Sequence, residues 1–431
     1  MKDFSPVSLT RAEDPPQGLN RRALLKTSLV GVAGLASVGT PFSLLAQTAA
    51  EAKVRPFVVR WDRAKLNGVL DKVRAYQFPI EPQSNGWRYG CDPVFLKSLC
   101  DYWVNEYDAQ KAVDDLNRYP QFITTIEALD IHFIHVVGEA RGNRPLLMTH
   151  GWPGSVFEFW QVAERLAYPS KYGGSSADAF DLVIPSLPGF GSSGKPQRAL
   201  GARSTARLFD TLMRDRLGYK TYLAQGGDWG AGVTGWLGLE HAESLRGIHL
   251  NLLIVSPESA PGDVAEQTYE TSHAEYESRL GAYYQLQSTK PHSLAYAMAD
   301  NPVGQAAWLL ERFHDWSDLR DRPFEAVFTK DQLLTSVMIY VMNDAFASAA
   351  WFYTGGRMEQ VTQMPVGQRV KVPTGFTAYP DSRSPNPPRS LIERGYNLKY
   401  WRVMEQGGHF AAMEVPEAFA RDIQEWGRSI I

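Results

Sequence analysis

Asp228 stands at the centre of a turn built from small residues. Positions 226–230 read Gly-Gly-Asp-Trp-Gly and directly follow an apolar run at 222–224. This is the pattern of a nucleophile elbow, a strained strand-to-helix turn whose unusual dihedral angles favour glycine. An aspartate there would attack saturated carbon and form an ester, so the substrate should be an epoxide or a halide, with its leaving group on sp³ carbon. The alternative is a glycine turn in which Asp228 only caps a helix.

His409 is the predicted general base. The ester must be hydrolysed by an activated water, and the expected chain order is nucleophile, acid, histidine. His409 lies in Gly-Gly-His-Phe at 407–410, directly after the last predicted strand, which is where that base belongs. Among the other histidines, His150 alone also sits in a glycine loop at the end of a strand.

The loop His-Gly-Trp-Pro at 150–153 is predicted to complete an oxyanion hole, because it follows an earlier apolar strand. One donor of such a hole is the backbone N–H after the nucleophile, at Trp229, and the other comes from the earlier loop, at Trp152. Backbone donors suit the tetrahedral oxyanion that forms when water attacks the ester. The remaining residues of the loop are expected to orient it rather than to transfer protons: His150, Gly151 and Pro153.

The acid that orients His409 should follow the strand that ends near Tyr379. Asp381 is the first candidate there, and its carboxylate would hold the imidazole tautomer and stabilise the imidazolium. Glu258, at the end of the preceding strand, is the alternative placement. Glu393 is near in sequence but falls within a predicted helix.

The rest of the chain supplies the elements that must position these residues. From 145 onward apolar strands alternate with glycine loops and helical stretches, which together with the elbow predicts an α/β-hydrolase fold with a mostly parallel sheet flanked by helices. That alternation stops after the strand ending near Val255, where an inserted helical cap is predicted. The predicted divisions are a signal segment at 1–50, an N-terminal segment at 51–140, a core at 141–255, the cap at 256–365 and the second part of the core at 366–431.

The first fifty residues differ from the rest. Arg21 and Arg22 precede a mildly apolar stretch at 27–45 that is rich in Gly, Ala and Ser, and an alanine-rich stretch follows it. Paired arginines before a weakly apolar segment are typical of a twin-arginine export signal, which predicts a protein exported to the periplasm. An uncleaved N-terminal membrane anchor is the alternative.

Composition narrows the functional classes. The chain has 431 residues, 44% hydrophobic and 12% aromatic, which allows a large core, and its net charge of −3 makes nucleic acid an unexpected partner. Cys91 and Cys100 are expected to be free thiols. His132 and His135 would lie on opposite faces of a strand, which argues against a shared metal site. No cofactor and no metal are expected, and the oligomeric state stays open, with a homodimer as one alternative.

Taken in chain order, the motifs at 150–153, 226–230 and 407–412 resemble those of the microsomal-type epoxide hydrolases. The resemblance covers nearly all of the chain after residue 54, including Trp-Arg-Tyr-Gly at 87–90 and Tyr-Pro-Gln-Phe at 119–122. It implies an N-terminal segment that wraps the catalytic domain, and a cap in which Tyr283 and Tyr353 are the two lid tyrosines that donate hydrogen bonds to the epoxide oxygen. The family usually places its acid two residues after a proline. In this chain that position, two residues after Pro380, is occupied by Ser382, so Asp381 lies one position before it.

The resemblance therefore predicts a cofactor-independent epoxide hydrolase that turns a small apolar epoxide and water into a vicinal diol. A haloalkane-type dehalogenase shares the aspartate nucleophile but commonly carries an asparagine where this chain has Trp152. An inactive exported binding module is the third alternative, and the displaced acid is the feature that favours it.

Overall fold

The computed structural model describes residues 53–80, 86–139, 142, 144–257, 260–320, 322–380 and 385–430, all of which belong to one compact unit. The predicted signal segment and both candidate acids, Asp381 and Glu258, lie outside these described residues, as does Ser382.

A nine-stranded sheet forms the centre of the molecule. Its spatial order is β1-β2-β3-β5-β4-β6-β7-β8-β9. β1 to β3 pair antiparallel, and β3 pairs antiparallel with β5. From β5 to β9 in the spatial order, all strands run parallel to one another. The strands are β1 (Arg55–Phe57), β2 (Gln121–Ile126), β3 (Leu129–Val136), β4 (Arg144–Thr149), β5 (Phe180–Pro185), β6 (Tyr222–Gly226), β7 (Leu245–Leu250), β8 (Val370–Ala378) and β9 (Tyr396–Val403).

Helices cover both faces of the sheet and fill the interval between β7 and β8. The helices before β7 are α1 (Arg63–Ala75), α2 (Pro93–Asn105), α3 (Ala109–Leu116), α4 (Trp160–Ala167), α5 (Ala202–Thr211) and α6 (Asp228–Glu240). Those between β7 and β8 are α7 (Val264–Leu280), α8 (Ala282–Thr289), α9 (Pro291–Met298), α10 (Pro302–Trp316), α11 (Phe324–Val327), α12 (Lys330–Met342) and α13 (Phe346–Glu359). α14 (Arg389–Gly395) precedes β9, and α15 (Ala411–Glu414) and α16 (Pro416–Ser429) follow it.

The parallel strands are apolar because helices bury them from both sides. Every residue of β4 and of β6 is buried, which is expected of central strands in an α/β sheet. The chain crosses from β5 past β4 to β6, so the strand order reverses around β4. Crevices for ligands form at the carboxyl ends of strands beside such a reversal. The predicted α/β-hydrolase fold, with a mostly parallel sheet, is confirmed.

The apolar run at 245–255 forms a shorter strand than its composition suggested. β7 ends at Leu250, and the residues after it leave the sheet. Leu253 and Val255 among them are buried by contacts outside the sheet, and the Val255 carbonyl accepts a hydrogen bond from the Tyr396 hydroxyl at 2.7 Å. The early end of β7 brings Asn251 to the carboxyl edge of the sheet.

No single helix in the described part of the chain is long and apolar enough to cross a membrane, although the pair α12 and α13, bent by 85°, passes that test by length and composition alone. Cys91 and Cys100 are both free thiols, as predicted.

Candidate active site

Asp228 opens α6 directly after β6, at the carboxyl edge of the sheet. Its φ is +47°, a left-handed value that is uncommon for a residue with a Cβ. Gly230 allows this turn to pass close to β4, because a Cβ there would collide with the carbonyl oxygen of Thr149. The local sequence thus folds as a strained strand-to-helix turn.

Two backbone N–H groups bind the Asp228 carboxylate. The Trp152 N–H donates to Asp228 Oδ1 at 2.8 Å, and the Trp229 N–H also donates to this carboxylate. Gly151 lets the Trp152 loop approach, since a Cβ there would collide with the Asp228 side chain. Desolvation raises the pKa of Asp228 to about 7, and these two hydrogen bonds limit the rise because they stabilise the charged form.

His409 lies on the other side of the same carboxylate. Its Nε2 is 3.5 Å from Asp228 Oδ2, and both side chains are largely enclosed, at 12% and 15% exposure. Burial lowers the pKa of His409 to about 4, so the imidazole is neutral at pH 7 and able to accept a proton. A carboxylate held by two backbone donors, with Oδ2 beside a neutral base, is equipped for ester formation and hydrolysis.

Two carboxylates that were not predicted hold the His409 loop. Asp318 accepts from the Gly407 N–H at 3.0 Å, and Glu414 accepts from the N–H groups of Phe410 at 2.9 Å and Asp318 at 2.8 Å. Burial raises the pKa of Glu414 to about 7. Asp318 follows the cap helix α10, so the cap itself positions the histidine loop, and no local sequence pattern reveals that connection.

The two predicted lid tyrosines meet above the elbow. Tyr283 from α8 stacks on Trp152 with ring centroids 5.3 Å apart, and Tyr353 from α13 meets Trp229 edge-on at 4.9 Å. Their own rings are 6.0 Å apart. Burial raises the pKa of each phenol well above its ordinary value, and the nearby Asp228 charge raises it further, so both stay protonated and can donate hydrogen bonds.

His150 connects two loops at the edge of the sheet. Its Nε2 accepts from the Leu187 N–H at 3.1 Å, so the proton is on Nδ1, which donates to the Gly151 carbonyl at 3.0 Å. Burial lowers the pKa of His150 to about 4. With both nitrogens engaged and the ring neutral, this side chain is placed to orient the loop rather than to transfer protons.

Glu158 is a further carboxyl group beside the Trp152 loop, and sequence reasoning missed it. It accepts hydrogen bonds from the backbone N–H groups of Gly151 and Ser155, and a Cβ on Gly154 would collide with it. Burial and the nearby Asp228 charge raise the pKa of Glu158 well above its ordinary value. Glu158 therefore holds the loop that presents the Trp152 N–H.

Neither candidate for the orienting acid, Asp381 or Glu258, is among the described residues. A small cavity beside Asp228 and His409 is also lined by Asn251, Tyr379 and Asn386, and the last two flank positions 381–384 in the sequence. Glu393 lies on α14, as predicted for it, and forms an exposed ion pair with Arg389 at 2.8 Å.

The strand histidines make structural contacts. His132 is buried and contacts the Ser186 hydroxyl at 2.9 Å and Gln121 Oε1 at 2.8 Å, while His135 contacts the Tyr219 hydroxyl at 2.9 Å. Within the described part of the chain, no group of three or more His, Cys, Asp or Glu side chains is arranged to hold a metal ion.

Comparison with known proteins gives matches over nearly the whole described chain. The family model "Epoxide hydrolase N terminus" matches residues 54–159, and "alpha/beta hydrolase fold" matches residues 144–330. A protein from Stigmatella aurantiaca is 36% identical over 381 residues, which are 88% of this chain and 85% of that protein. Epoxide hydrolase 1 from Sus scrofa is 32% identical over 406 residues, which are 88% of this chain and 89% of that protein.

Solved structures agree with these matches. The juvenile hormone epoxide hydrolase from the silkworm Bombyx mori superposes with a TM-score of 0.77 at 27% identity, covering 88% of this chain and 95% of that one. The Aspergillus niger epoxide hydrolase gives 0.75 at 28% identity, covering 88% and 96%.

Proposed function

We propose that this chain, which belongs to the microsomal-type epoxide hydrolases, opens an epoxide with Asp228 and releases a vicinal diol after water hydrolyses the ester. It is a hydrolase acting on epoxides, and epoxide and water are its substrates. The observation that carries the mechanism is the divided environment of the Asp228 carboxylate. Oδ1 accepts from the Trp152 N–H, whereas Oδ2 faces His409.

Each step follows from that arrangement. Oδ2 attacks an epoxide carbon while Tyr283 and Tyr353 donate hydrogen bonds to the departing oxygen. His409 then takes a proton from water as the water attacks the ester carbonyl. The N–H groups of Trp152 and Trp229 stabilise the resulting oxyanion, because they already bind the Asp228 carboxylate in the resting enzyme. Collapse of this intermediate frees the diol and restores the carboxyl group.

The lid tyrosines favour an epoxide over a halide, since a phenol pair is suited to an oxygen that becomes an alkoxide. The Asp228 charge raises the pKa of both phenols, so both hydroxyl groups are close enough to Asp228 to feel its charge. The assembled nucleophile, hole and base also speak against an inactive binding module. The aromatic rings around Asp228 favour a small apolar epoxide.

Isotope labelling tests the ester directly. With excess enzyme and one turnover in heavy-oxygen water, the diol should stay unlabelled and Asp228 should gain the label, because water attacks the ester carbonyl. Peptide mass spectrometry after repeated cycles would locate the heavy oxygen at Asp228. A diol labelled in the first turnover would show instead that water attacks the epoxide itself.

We expect Asp381→Asn to preserve alkylation and to slow hydrolysis. The lost carboxylate would no longer stabilise the imidazolium of His409, so hydrolysis should slow, but by less than in His409→Gln, because the histidine remains present in a poorer tautomer. Rapid-quench measurement of the two steps would give each rate. Glu258→Gln is the matched control and should change little, whereas the opposite pattern would move the acid to the preceding strand.

Export is a further part of the proposal. The paired residues Arg21 and Arg22 before a weakly apolar stretch support a twin-arginine signal and a periplasmic location, with an N-terminal anchor as the alternative. There the proposed activity would serve to detoxify epoxides. Once the signal is removed we expect no stable membrane span and no nucleic-acid partner. The oligomeric state is not assigned, and a homodimer is one alternative.

A further inference from the structure

Arg312 places a buried positive charge against one of the two lid tyrosines. It lies on the cap helix α10, and its side chain is 4% exposed. The guanidinium carbon is 5.4 Å from the ring centroid of Tyr283 and 5.7 Å from that of Trp316. A cation this close to an aromatic face is attracted to it, and the attraction is stronger where water is excluded.

Several contacts fix the guanidinium in this position. Arg312 pairs with Asp315 Oδ2 at 3.0 Å and also with Glu311, and it donates to the Leu280 carbonyl at 3.3 Å. Leu280 ends α7, and α8 with Tyr283 begins two residues later. The arginine therefore fixes both the ring of Tyr283 and the backbone just before it. An arginine is seldom buried without such partners, because desolvating a charge is costly.

The second lid tyrosine has a different environment. No lysine or arginine in the part of the chain that the structure describes lies over the ring of Tyr353, which instead contacts Trp152, Trp229 and Tyr284. Burial raises the pKa of both phenols, but at Tyr283 the Arg312 charge opposes that rise. The two tyrosines are thus chemically unequal.

We propose that Arg312 is a positioning residue that fixes Tyr283 and polarises its O–H, so that Tyr283 supplies the proton to the opening epoxide while Tyr353 contributes a hydrogen bond. The inference rests on the proposed function of the tyrosine pair. The positive charge would stabilise the negative charge that Tyr283 acquires as its proton leaves.

The step balances in atoms and protons. The Asp228 oxygen forms a bond to carbon as the epoxide carbon–oxygen bond breaks, and the freed oxygen takes the Tyr283 proton. In hydrolysis, His409 takes a proton from water and passes it to the alcohol oxygen that leaves the ester. The regenerated Asp228 carboxyl group then releases one proton, which restores the Tyr283 phenol.

A double-mutant cycle on styrene oxide tests this pairing. Arg312→Gln removes the charge but can still bond Asp315, and we expect it to slow alkylation about tenfold, the order of a desolvated cation–π contact. The hydrolysis rate should not change. The same tenfold loss should appear in the Tyr353→Phe background and be absent in the Tyr283→Phe background, because only Tyr283 uses the charge. Stopped-flow tryptophan fluorescence would report alkylation.

Controls separate a tuned phenol from a disturbed cap. Arg203→Met, which removes an arginine 4.7 Å from the ring of Trp236 and outside the cap, should leave both rates unchanged. Arg312→Lys keeps a positive charge and should recover most of the alkylation rate that Arg312→Gln loses. If Arg312→Gln does not fold, Arg312→Lys is measured in the Tyr283→Phe and Tyr353→Phe backgrounds instead. Its smaller loss of alkylation rate should then appear only where Tyr283 is present. Equal losses in the two backgrounds, or an equal loss in hydrolysis, would overturn the role of Arg312. Normal alkylation by Tyr283→Phe itself would refute the proposed tyrosine function instead.

Discussion

Replacing His409 with glutamine should yield an enzyme that alkylates itself once and then stops. The amide cannot take a proton from water at neutral pH, so ester hydrolysis should slow by roughly 10²–10⁴-fold, the usual contribution of a general base. Ring opening should continue, because the two donors that bind the Asp228 carboxylate are backbone groups that the substitution leaves in place. Mass spectrometry of the intact variant after incubation with styrene oxide should show a protein heavier by one substrate molecule.

The substitution should not disturb the loop itself. The His409 backbone N–H donates to the Trp316 carbonyl at 3.0 Å, and Asp318 and Glu414 bind neighbouring backbone groups. His292→Gln is a suitable control, because His292 is exposed and stacks on Trp351 away from the elbow. Normal turnover by His409→Gln, with no adduct, would mean that another group is the base.

The parts of the site that the sequence predicted are those encoded by short local patterns. Asp228 and His409 each lie in a glycine turn after an apolar strand, and such turns specify backbone conformation within a few residues. The parallel sheet could also be predicted from the sequence, because its buried strands are continuous apolar runs. The lid tyrosines required more than local pattern, because Tyr283 and Tyr353 were singled out among nineteen tyrosines only by their family resemblance.

Contacts between distant segments could not be predicted in this way. Glu158, Arg312 and Glu414 are charged residues on ordinary helices or turns, and such residues are usually solvated. Their burial depends on which loop or ring the fold brings against them, as when α10 places Arg312 on Tyr283. The same holds beyond the end of β7, where Leu253 and Val255 are buried by tertiary contacts instead of strand pairing.

Removing both lid hydroxyl groups should nearly abolish alkylation. Tyr283→Phe and Tyr353→Phe should each cost roughly 1–3 kcal/mol, the range for a lost hydrogen bond to developing charge. Together they leave the epoxide oxygen without either donor, so if the two losses add, the double variant should alkylate roughly 30-fold to 10⁴-fold more slowly. Phenylalanine keeps the ring packing of both sites. Quenching of tryptophan fluorescence should report the step, because Trp152 and Trp229 touch these rings.

The neighbouring Tyr284→Phe is the matched control. Tyr284 lies on α8 next to Tyr283, and its ring is 5.3 Å from that of Tyr353. A general loosening of the cap would therefore slow alkylation in the Tyr284→Phe variant as well. We expect this variant to alkylate at close to the unmodified rate. If the double variant also alkylated normally, the departing oxygen would need no phenol donor. The chemistry of Asp228 would then be closer to halide displacement, in which the leaving group departs as a stable anion and needs no proton.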